Sequence, residues 1–487
     1  MTEYQTAASP TEAVDQLQAL YEASVERLRE ALRAFLEEGT PPAASARAAG
    51  AFAYPELRVR YQPDGPPPPV SRAFGKFTEP GLYVQTITQP GFFRDYLVEQ
   101  LDLLTSSYEV EIETGPSQVE IPFSYVLDGA DDLDMDAAQP ADLVRHFPYA
   151  DLSRIDDETP NGEAPTAPGE PRPLSLFDAP RTDYSLQRLK HYTGTPYQDV
   201  QQFILFTNYH RYVDAFTAWA LKKLKEDNHY ESFSAAGHVE VTADTPAAHA
   251  IVEGAPWRRF QMPAYHLKAP GGQGITLVNI GVGPSNAKNI TDHLAVLRPQ
   301  CWLMIGHCGG LRHSQRLGDY VLAHAYLRYD NVLDEALPVD IPIPPIAEIQ
   351  IALHNAVAEV SGDKGEALKG RLRTGTVATY SDRNWELTYA AQAKRINQSR
   401  AIAVDMESAT IAANGFRMRV PYGTLLCVSD KPLHGELKLP GAANLFYQRS
   451  ITEHLQAGIE TIEILKRDEA SALHSRKLRS FDEPPFR

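Results

Sequence analysis

The chain has 487 residues, 43% hydrophobic and 22% charged, which is ordinary for globular proteins and allows two or three domains. Its formal net charge of −17 argues against a general nucleic-acid binder, because such a protein presents a basic surface. No apolar run is long enough to span a bilayer, and the N-terminus lacks a basic region followed by an apolar one. We therefore expect a cytoplasmic protein with no membrane or nucleic-acid partner.

The cysteines predict neither a metal site nor a disulfide framework. Cys301, Cys308 and Cys427 lie in apolar or glycine-rich stretches, and no pair has the spacing of a zinc site. An acidic run at 128–142 lacks the glycine and the bidentate glutamate of a calcium-binding loop. We interpret that run as a solvated surface loop.

The N-terminal part of the chain predicts an α+β domain without a catalytic motif. Apolar residues recur at steps of three and four from Pro10 to Glu38, which indicates one long amphipathic helix. A second helix is predicted at 92–104, with strands at 57–62, 81–90, 108–115 and 119–127. A stretch rich in proline, glycine and acidic residues at 156–181 predicts a linker. We therefore expect domains at 1–180 and 181–487.

The second domain predicts alternating strands and helices. It opens with a helical pattern at 186–224, interrupted by apolar residues at 203–206. Strands are then expected at 275–283, 301–311, 319–327, 372–380 and 422–430, and helices at 285–297, 346–360, 409–416 and 444–467. This alternation predicts an α/β fold in which helices flank a mixed central sheet.

A glycine turn, Gly281-Val282-Gly283, follows one predicted strand and opens a helix. It lacks the third glycine of a dinucleotide fingerprint and the lysine ending of a P-loop. The backbone N–H groups of the first helical turn could face an anion, and Lys288 lies on that turn. A tight turn without a ligand explains the pattern equally well.

Three glycines surround His307 and Cys308 at the end of the next strand, in Gly-His-Cys-Gly-Gly (306–310). Glycines at this density indicate a sharp bend or a close approach to a ligand. Arg312 follows them and has the planar fork of a phosphate clamp, although it could also be a surface residue. A nucleophilic cysteine is disfavoured, because the sequence has no partner pattern for a cysteine hydrolase.

An aromatic residue and two carboxylates complete the candidates. Trp385 follows a strand and could stack on a planar base or cover the edge of the core. Glu407 lies in Val-Asp-Met-Glu-Ser-Ala (404–409), and Asp430 ends an apolar strand. Cleavage of a sugar–base bond would suit two carboxyl groups with separate roles. One would hold the sugar hydroxyls, and the other, kept protonated, would give a proton to the leaving base. The apolar run before Asp430 predicts burial, which raises the pKa of a carboxyl group.

Taken in order, these motifs resemble the nucleoside phosphorylase/nucleosidase superfamily. The resemblance rests on the glycine turn, on Gly-His-Cys-Gly-Gly, on Val-x-Met-Glu and on the Ser-Asp pair at 429–430. Longer segments, among them TEPGLYVQTITQPGFFRDYL and TYSDRNWEL, are similar to the AMP nucleosidase family within it. That similarity includes an N-terminal domain which ordinary nucleoside phosphorylases lack.

The resemblance implies hydrolysis of AMP to adenine and ribose 5-phosphate. Met406 would pack on the ribose and Glu407 would bind its hydroxyls, while Asp430, oriented by Ser429, would protonate N7 of the base. The expected substrate-binding set also contains Trp385, Gly281, Gly283, Lys288, His307, Cys308, Gly309 and Arg312. We expect the glycine turn, Lys288 and Arg312 to hold the 5′-phosphate. A homohexamer is also implied, with no required cofactor and with MgATP as activator and phosphate as inhibitor.

Two departures from the family pattern favour water as the nucleophile. Phosphorylases of the superfamily have an arginine where this chain has Met304, and serine or threonine is usual where it has His307. A purine nucleoside phosphorylase remains one alternative, and a nucleotide sensor without catalysis is another. The sensor explains the two carboxylates less well, since binding alone needs no general acid.

Overall fold

The computed structural model describes residues 4–127, 140–163, 167, 169–437, 443–468, 473, 478–480 and 482–487. The chain forms two compact units, an N-terminal unit of Met1–Gln187 with Ser480–Arg487 and a larger unit of Arg188–Arg479. This division differs from the predicted one, since the boundary falls inside a helix and residues 480–487 lie with the N-terminal unit. Most of the predicted acidic loop, at 128–139, lies outside the described residues.

The N-terminal unit contains a five-stranded sheet in the order β1-β4-β2-β3-β5. Its strands are β1 Gln5–Ala7, β2 Ala53–Tyr61, β3 Gly81–Thr86, β4 Val110–Glu120 and β5 Arg172–Pro173. Its helices are α1 Pro10–Glu38, α2 Ala44–Ala48, α3 Arg94–Thr105, α4 Phe123–Val126, α5 Pro140–His146, α6 Glu158–Asn161 and α7 Ala179–Thr193, the last of which continues into the larger unit. These elements form the α+β arrangement that the sequence predicts.

Helix α1 has the predicted bounds because both of its ends carry capping residues. The Ser9 hydroxyl accepts a hydrogen bond from the backbone N–H of Glu12 at 3.2 Å, and Pro10 occupies the first turn. Gly39 ends the helix in the left-handed conformation, with φ of 68°. The predicted strand at 119–127 is wrong, since β4 ends at Glu120 and residues 123–126 are helical.

The larger unit contains a ten-stranded mixed sheet in the order β14-β13-β12-β15-β11-β6-β10-β9-β7-β8. Its strands are β6 Phe203–Thr207, β7 Ser232–Ala235, β8 Val239–Val241, β9 Ala264–Lys268, β10 Ile275–Asn279, β11 Cys301–Gly310, β12 Tyr320–Tyr329, β13 Leu372–Tyr380, β14 Ala403–Asp405 and β15 Tyr422–Asp430. Its helices are α8 His210–Glu226, α9 Ala248–Glu253, α10 Pro284–Leu294, α11 Ala347–Ser361, α12 Gly365–Arg371, α13 Tyr389–Ser399, α14 Ser408–Arg417 and α15 Ala443–Arg467. The predicted α/β fold with a mixed central sheet is confirmed.

The apolar residues 203–206 form a strand and not an interruption within a helical bridge. Strand β6 is fully buried and pairs in parallel with both β10 and β11. A short apolar run flanked by helical patterns does not distinguish a buried strand from a buried helical turn. The correction is important for the site, because it places Asn208 at the end of a central strand.

Strand β11 also pairs with β14, so that five strands close into a ring. Gly309 and Gly310 pair antiparallel with Val404 and Ala403, while β14, β13, β12, β15 and β11 are neighbours in that order. The closure brings the segment that leads to Glu407 beside the glycine-rich end of β11. Two motifs almost 100 residues apart in the sequence therefore lie next to each other.

Buried side chains form the core around the sheet, and Cys301, Cys308 and Cys427 are buried there without forming a disulfide among the described residues. Across the part of the chain that the structure describes, no helix combines the length and the apolar composition needed to cross a membrane.

Candidate active site

Several of the candidate residues lie at one edge of the larger sheet. Strands β6, β10, β11 and β15 run in the same direction, so their carboxyl ends lie together. Asn208 follows β6, Gly281 and Gly283 follow β10, Gly309 lies near the end of β11, and Asp430 ends β15. Ligand sites of parallel α/β sheets form at this edge.

Glu407 directly precedes α14, and its side chain is fully buried. Its Oε1 accepts a hydrogen bond from the backbone N–H of Gly283 at 2.7 Å, and its Oε2 accepts one from Nδ2 of Asn208 at 3.0 Å. Gly283 has φ of 119°, a backbone conformation that favours glycine. The predicted anion-binding turn therefore holds a carboxylate of the protein itself.

The surroundings of Glu407 alter its acidity. Burial, together with repulsion from the Asp405 carboxylate, raises the pKa of Glu407 to about 8, although the hydrogen bonds from Gly283 and Asn208 act in the opposite direction. Burial also raises the pKa of Asp405, whose Oδ1 accepts a hydrogen bond from the hydroxyl of Thr379 at 2.6 Å. Loss of either donor to Glu407 would therefore change its ionised fraction near neutral pH.

Asp430 lies at the end of a buried strand but is itself only half-buried. Leu425–Val428 are fully buried, as the apolar run predicts, but the burial predicted for Asp430 is confirmed only in part. The Ser429 hydroxyl donates a hydrogen bond to Oδ1 of Asp430 at 2.7 Å, which is the predicted contact. Gly309 pairs with Asp430, and a Cβ atom at Gly309 would lie 3.7 Å from Oδ2. A Cβ atom at Gly309 would also lie 3.4 Å from Cδ of Pro432, so a larger side chain there would crowd this carboxyl group.

His307 lies among aromatic residues at the same edge. Its ring centroid is 4.9 Å from that of Tyr209 and 5.5 Å from that of Tyr212, and its Nε2 lies 3.2 Å from the Tyr212 hydroxyl. The thiol of Cys308 is buried within the sheet, and Met406 is half-buried beside Glu407. His307 is thus the residue of the Gly-His-Cys-Gly-Gly motif whose side chain offers polar chemistry.

Two family profiles match the chain, "Bacterial AMP nucleoside phosphorylase N-terminus" over residues 12–171 and "Phosphorylase superfamily" over residues 238–458. An AMP nucleosidase of Escherichia coli (strain K12) is 58% identical over 480 residues, which cover 98% of this chain and 98% of that protein. The chain belongs to the AMP nucleosidase family. The AMP nucleosidase of Escherichia coli O157:H7 matches with the same identity and coverage.

More distant relatives match only part of the chain. A solved structure of AMP nucleosidase from Bacteroides thetaiotaomicron is 27% identical, with a TM-score of 0.43, and the match covers 59% of this chain and 99% of that one. A 5'-methylthioadenosine/S-adenosylhomocysteine nucleosidase of Desulfotalea psychrophila is 23% identical over 203 residues, which are 42% of this chain and 85% of that protein. The match to the AMP nucleosidases of Escherichia coli covers 98% of this chain and so includes the N-terminal unit.

In this member of the AMP nucleosidase family, Lys288 and Arg312 each have a partner within the protein. Lys288 pairs with Asp292 one turn further along α10, and Asp292 also accepts a hydrogen bond from Arg417 at 3.0 Å. The Arg312 guanidinium donates to the backbone carbonyl of Arg400 at 2.8 Å. The phosphate-binding role of these two cations and the glycine turn stays a prediction.

Trp385 lies in a hydrophobic cluster and is only 5% exposed. Its ring stacks near Tyr380, at 5.9 Å between centroids, and contacts the edge of Tyr389 at 6.2 Å. This placement agrees with the alternative that Trp385 covers the core, and it leaves little of the ring surface for a base.

Sequence reasoning missed Asn208 and Arg383. It also missed Tyr212, the hydrogen-bond partner of His307. Asn208 was assigned to a helical bridge, which concealed its place at a strand end. Arg383 is exposed, and its positive charge lowers the pKa of Glu407. It lies in Tyr-Ser-Asp-Arg-Asn-Trp (380–385), directly after β13, so its place at a strand end was the available signal.

A cavity of about 800 Å³ lies elsewhere in the larger unit and contains none of the predicted site residues. Arg316, Arg371 and Arg373 line it, together with Glu453. Arg371 is paired with Glu453 and with Asp363, and Arg373 donates to the backbone carbonyl of Ser314 at 3.1 Å. Acidic neighbours therefore balance much of the positive charge in this cavity, and we do not interpret it as the phosphate site.

Proposed function

We propose that Glu407 and Asp430 have separate roles in the hydrolysis of AMP to adenine and ribose 5-phosphate. Glu407 binds the ribose hydroxyls, and Asp430 protonates N7 of the base. The observation that carries this proposal is the contrast between two carboxyl groups at one sheet edge. Glu407 is enclosed and held by two donors, whereas Asp430 is half-buried at a strand end. Two carboxyl groups in different environments suit separate roles.

Protonation of the base removes the main obstacle to cleavage. When the C1′–N9 bond breaks, its electron pair moves to the purine, which leaves easily once N7 has taken a proton. Asp430 supplies that proton, and the hydrogen bond from Ser429 to Oδ1 orients its carboxyl group. A positive charge develops on the sugar, and the carboxyl oxygens of Glu407 beside the ribose would stabilise it.

Water is the proposed nucleophile, and it adds to C1′ as the base departs. Met304 occupies the position where phosphorylases of the superfamily have an arginine, and its side chain is fully buried within β11. Its thioether offers a phosphate ion neither charge nor a hydrogen-bond donor. This supports hydrolysis over phosphorolysis.

Asp430→Asn is expected to lower kcat for AMP by about 10²–10⁴-fold, since positioned general acids contribute about that much. Release of adenine and ribose 5-phosphate would be followed by chromatography, with and without orthophosphate. Asp244→Asn provides a matched control, because Asp244 is an exposed carboxylate away from this edge. Near-normal turnover by Asp430→Asn would contradict the proposed role, and a product that changes to ribose 1-phosphate with orthophosphate would contradict hydrolysis.

We also propose a cytoplasmic homohexamer, activated by MgATP and inhibited by phosphate and requiring no resident cofactor. Resemblance to the family supports this part of the proposal.

A further inference from the structure

A buried chain of hydrogen bonds runs from the backbone of β15 to His307. Nε2 of His454 lies 3.0 Å from the carbonyl oxygen of Leu425, and Nδ1 of His454 lies 2.7 Å from the Tyr212 hydroxyl. The same hydroxyl lies 3.2 Å from Nε2 of His307. Tyr212 and His454 are both fully buried, and α8 and α15 hold them against the sheet.

The direction of each hydrogen bond follows from the carbonyl at one end. A carbonyl only accepts, so Nε2 of His454 carries a proton and donates it to Leu425. Burial lowers the pKa of His454 to about 4, so near neutral pH the ring is uncharged and its Nδ1 is an acceptor. The Tyr212 hydroxyl must therefore donate to His454.

The same reasoning continues to His307. Because the Tyr212 proton is committed to His454, its oxygen offers only lone pairs, and Nε2 of His307 must donate to it. Burial raises the pKa of Tyr212 well above its ordinary value, so that it stays protonated. In the neutral His307 ring, the remaining nitrogen, Nδ1, is consequently the basic one.

His307 and Asp430 lie on the same side of β11. The register of β11 and β15 is irregular between Cys308 and Gly309, but the extra residue, Ser429, belongs to β15. Side chains two residues apart in β11 therefore still share a face, and His307 points to the same side as Gly309, which pairs with Asp430. A Cβ atom at Gly309 would lie 3.7 Å from the Asp430 carboxyl group, which places that group on this side as well. Tyr209, against which the His307 ring packs, directly follows Asn208, a partner of Glu407.

We infer that His307 is the general base that accepts a proton from the attacking water through Nδ1, a role that rests on the hydrolysis proposed above. The water oxygen forms a bond to C1′, the C1′–N9 bond breaks, and adenine takes its proton from Asp430. One water proton moves to Nδ1, while Nε2 keeps its hydrogen bond to Tyr212. Return of that proton to solvent, and uptake of one by Asp430, restores the enzyme, so the net change is AMP and water to adenine and ribose 5-phosphate.

Three other polar groups near this edge already have proposed roles. Glu407 accepts hydrogen bonds from Gly283 and Asn208 and is proposed to bind the ribose. Asp430 is the donor to the base and cannot accept from water in the same step. Tyr212 is a positioning residue, because it acts only by fixing which nitrogen of His307 carries the proton.

The decisive experiment compares His307→Gln with Asp430→Asn on AMP and on its N7-methylated derivative. Glutamine places an amide near the position of Nε2, where it can still reach Tyr212, but it lacks the Nδ1 acceptor. The methylated base leaves neutral without a proton, so Asp430→Asn should recover toward wild-type turnover on it. His307→Gln should remain about 10²–10⁴-fold slow in kcat on both substrates, with the KM for AMP little changed.

The outcomes separate this inference from the proposed function. Wild-type turnover by His307→Gln on AMP would overturn the inference, and so would recovery of this variant on the methylated substrate, since His307 would then serve the base and not the water. Failure of Asp430→Asn to recover would instead overturn the role of Asp430.

Tyr212→Phe gives a second test that keeps the ring and its packing. We expect a fall of about 10-fold in kcat with the KM for AMP unchanged, because the proton of His307 is no longer held on Nε2. The double variant with His307→Gln should be no slower than His307→Gln alone, since both changes act through one group. If the losses in kcat of the two single variants add up in the double variant, Tyr212 does not act through His307. The same comparison can be made with His307→Asn if His307→Gln does not fold.

Discussion

At the scale of single residues, Glu407 is more deeply buried than Asp430, the carboxyl group for which the sequence predicts burial. The apolar Leu425–Val428 is fully buried, but Asp430 itself is only half-buried. Burial and repulsion from Asp405 raise the pKa of Glu407 to about 8. Glu407 follows β14, and Gly283 of the glycine turn and Asn208 after β6 both donate hydrogen bonds to it. Asp430 ends its strand, where the sheet no longer encloses it.

The raised pKa of Glu407 predicts a pH dependence of stability. Between its ordinary pKa of 4.5 and about 8, folded Glu407 keeps a proton that the unfolded chain has released, so the free energy of unfolding falls as pH rises through this window. The slope is at most about 1.4 kcal/mol per pH unit. Glu407→Gln removes this titration, and Asn208 can rotate its amide to accept from the new side chain. The variant should match the wild type at pH 5 and melt at a higher temperature at pH 8.5.

Thermal melting of both proteins across that range would check this expectation. Asp405 is present in both, so its own titration largely cancels in the comparison. Melting curves that stay parallel from pH 5 to 8.5 would contradict the assignment of a raised pKa to Glu407.

At the scale of elements, periodicity located the longer helices and the strands that end at the site. The bounds of α1, β13 and β15 agree with those predicted, because capping residues and long apolar runs mark them. The strand β14 was missed, since three residues carry no periodic signal. The pairing of Lys288 with Asp292 has the i,i+4 spacing of a helical ion pair, so the sequence alone could have predicted it.

The space around two helical glycines predicts different effects of alanine substitution on stability. Gly415 lies where α14 packs closely on β15, whereas Gly370 in α12 has open space. A Cβ atom at Gly415 would lie 2.5 Å from Cδ1 of Tyr422 and 2.7 Å from the carbonyl oxygen of Val420. Gly415→Ala should therefore lower the free energy of unfolding by about 1–3 kcal/mol, despite the better helix propensity of alanine. Gly370→Ala in α12 has open space and should be neutral or stabilising by up to about 1 kcal/mol. Urea unfolding of both variants measures the difference, and equal effects would refute this packing argument.

At the scale of the whole molecule, residues 480–487 belong to the N-terminal unit although they follow the larger unit in sequence. Phe486 is 1% exposed, and its backbone N–H donates to the carbonyl of Leu174 at 2.8 Å. The carbonyl of Pro485 accepts from Gly75 at 2.7 Å, and Tyr96 donates to the carbonyl of Arg487 at 2.8 Å. Local sequence patterns could not predict this return, because it depends on contacts between residues hundreds of positions apart.

Phe486→Ala is expected to destabilise the N-terminal unit by about 3–5 kcal/mol, the usual cost of removing a buried phenylalanine side chain. Phe92→Ala is the matched control, since Phe92 is 41% exposed in the same unit and should change stability little. Calorimetry would measure the transition of this unit, and limited proteolysis would locate the cleavages. Equal stability of the two variants would mean that Phe486 is not part of the core.

The return of the chain end also has a consequence for synthesis on the ribosome. Domains usually fold in the order in which they are translated. Here the unit that is translated first lacks Phe486 and its backbone partners until the larger unit has been made. The N-terminal unit is thus begun first and completed last, and a ribosome that stalls within the larger unit would leave it without the residues that close its core.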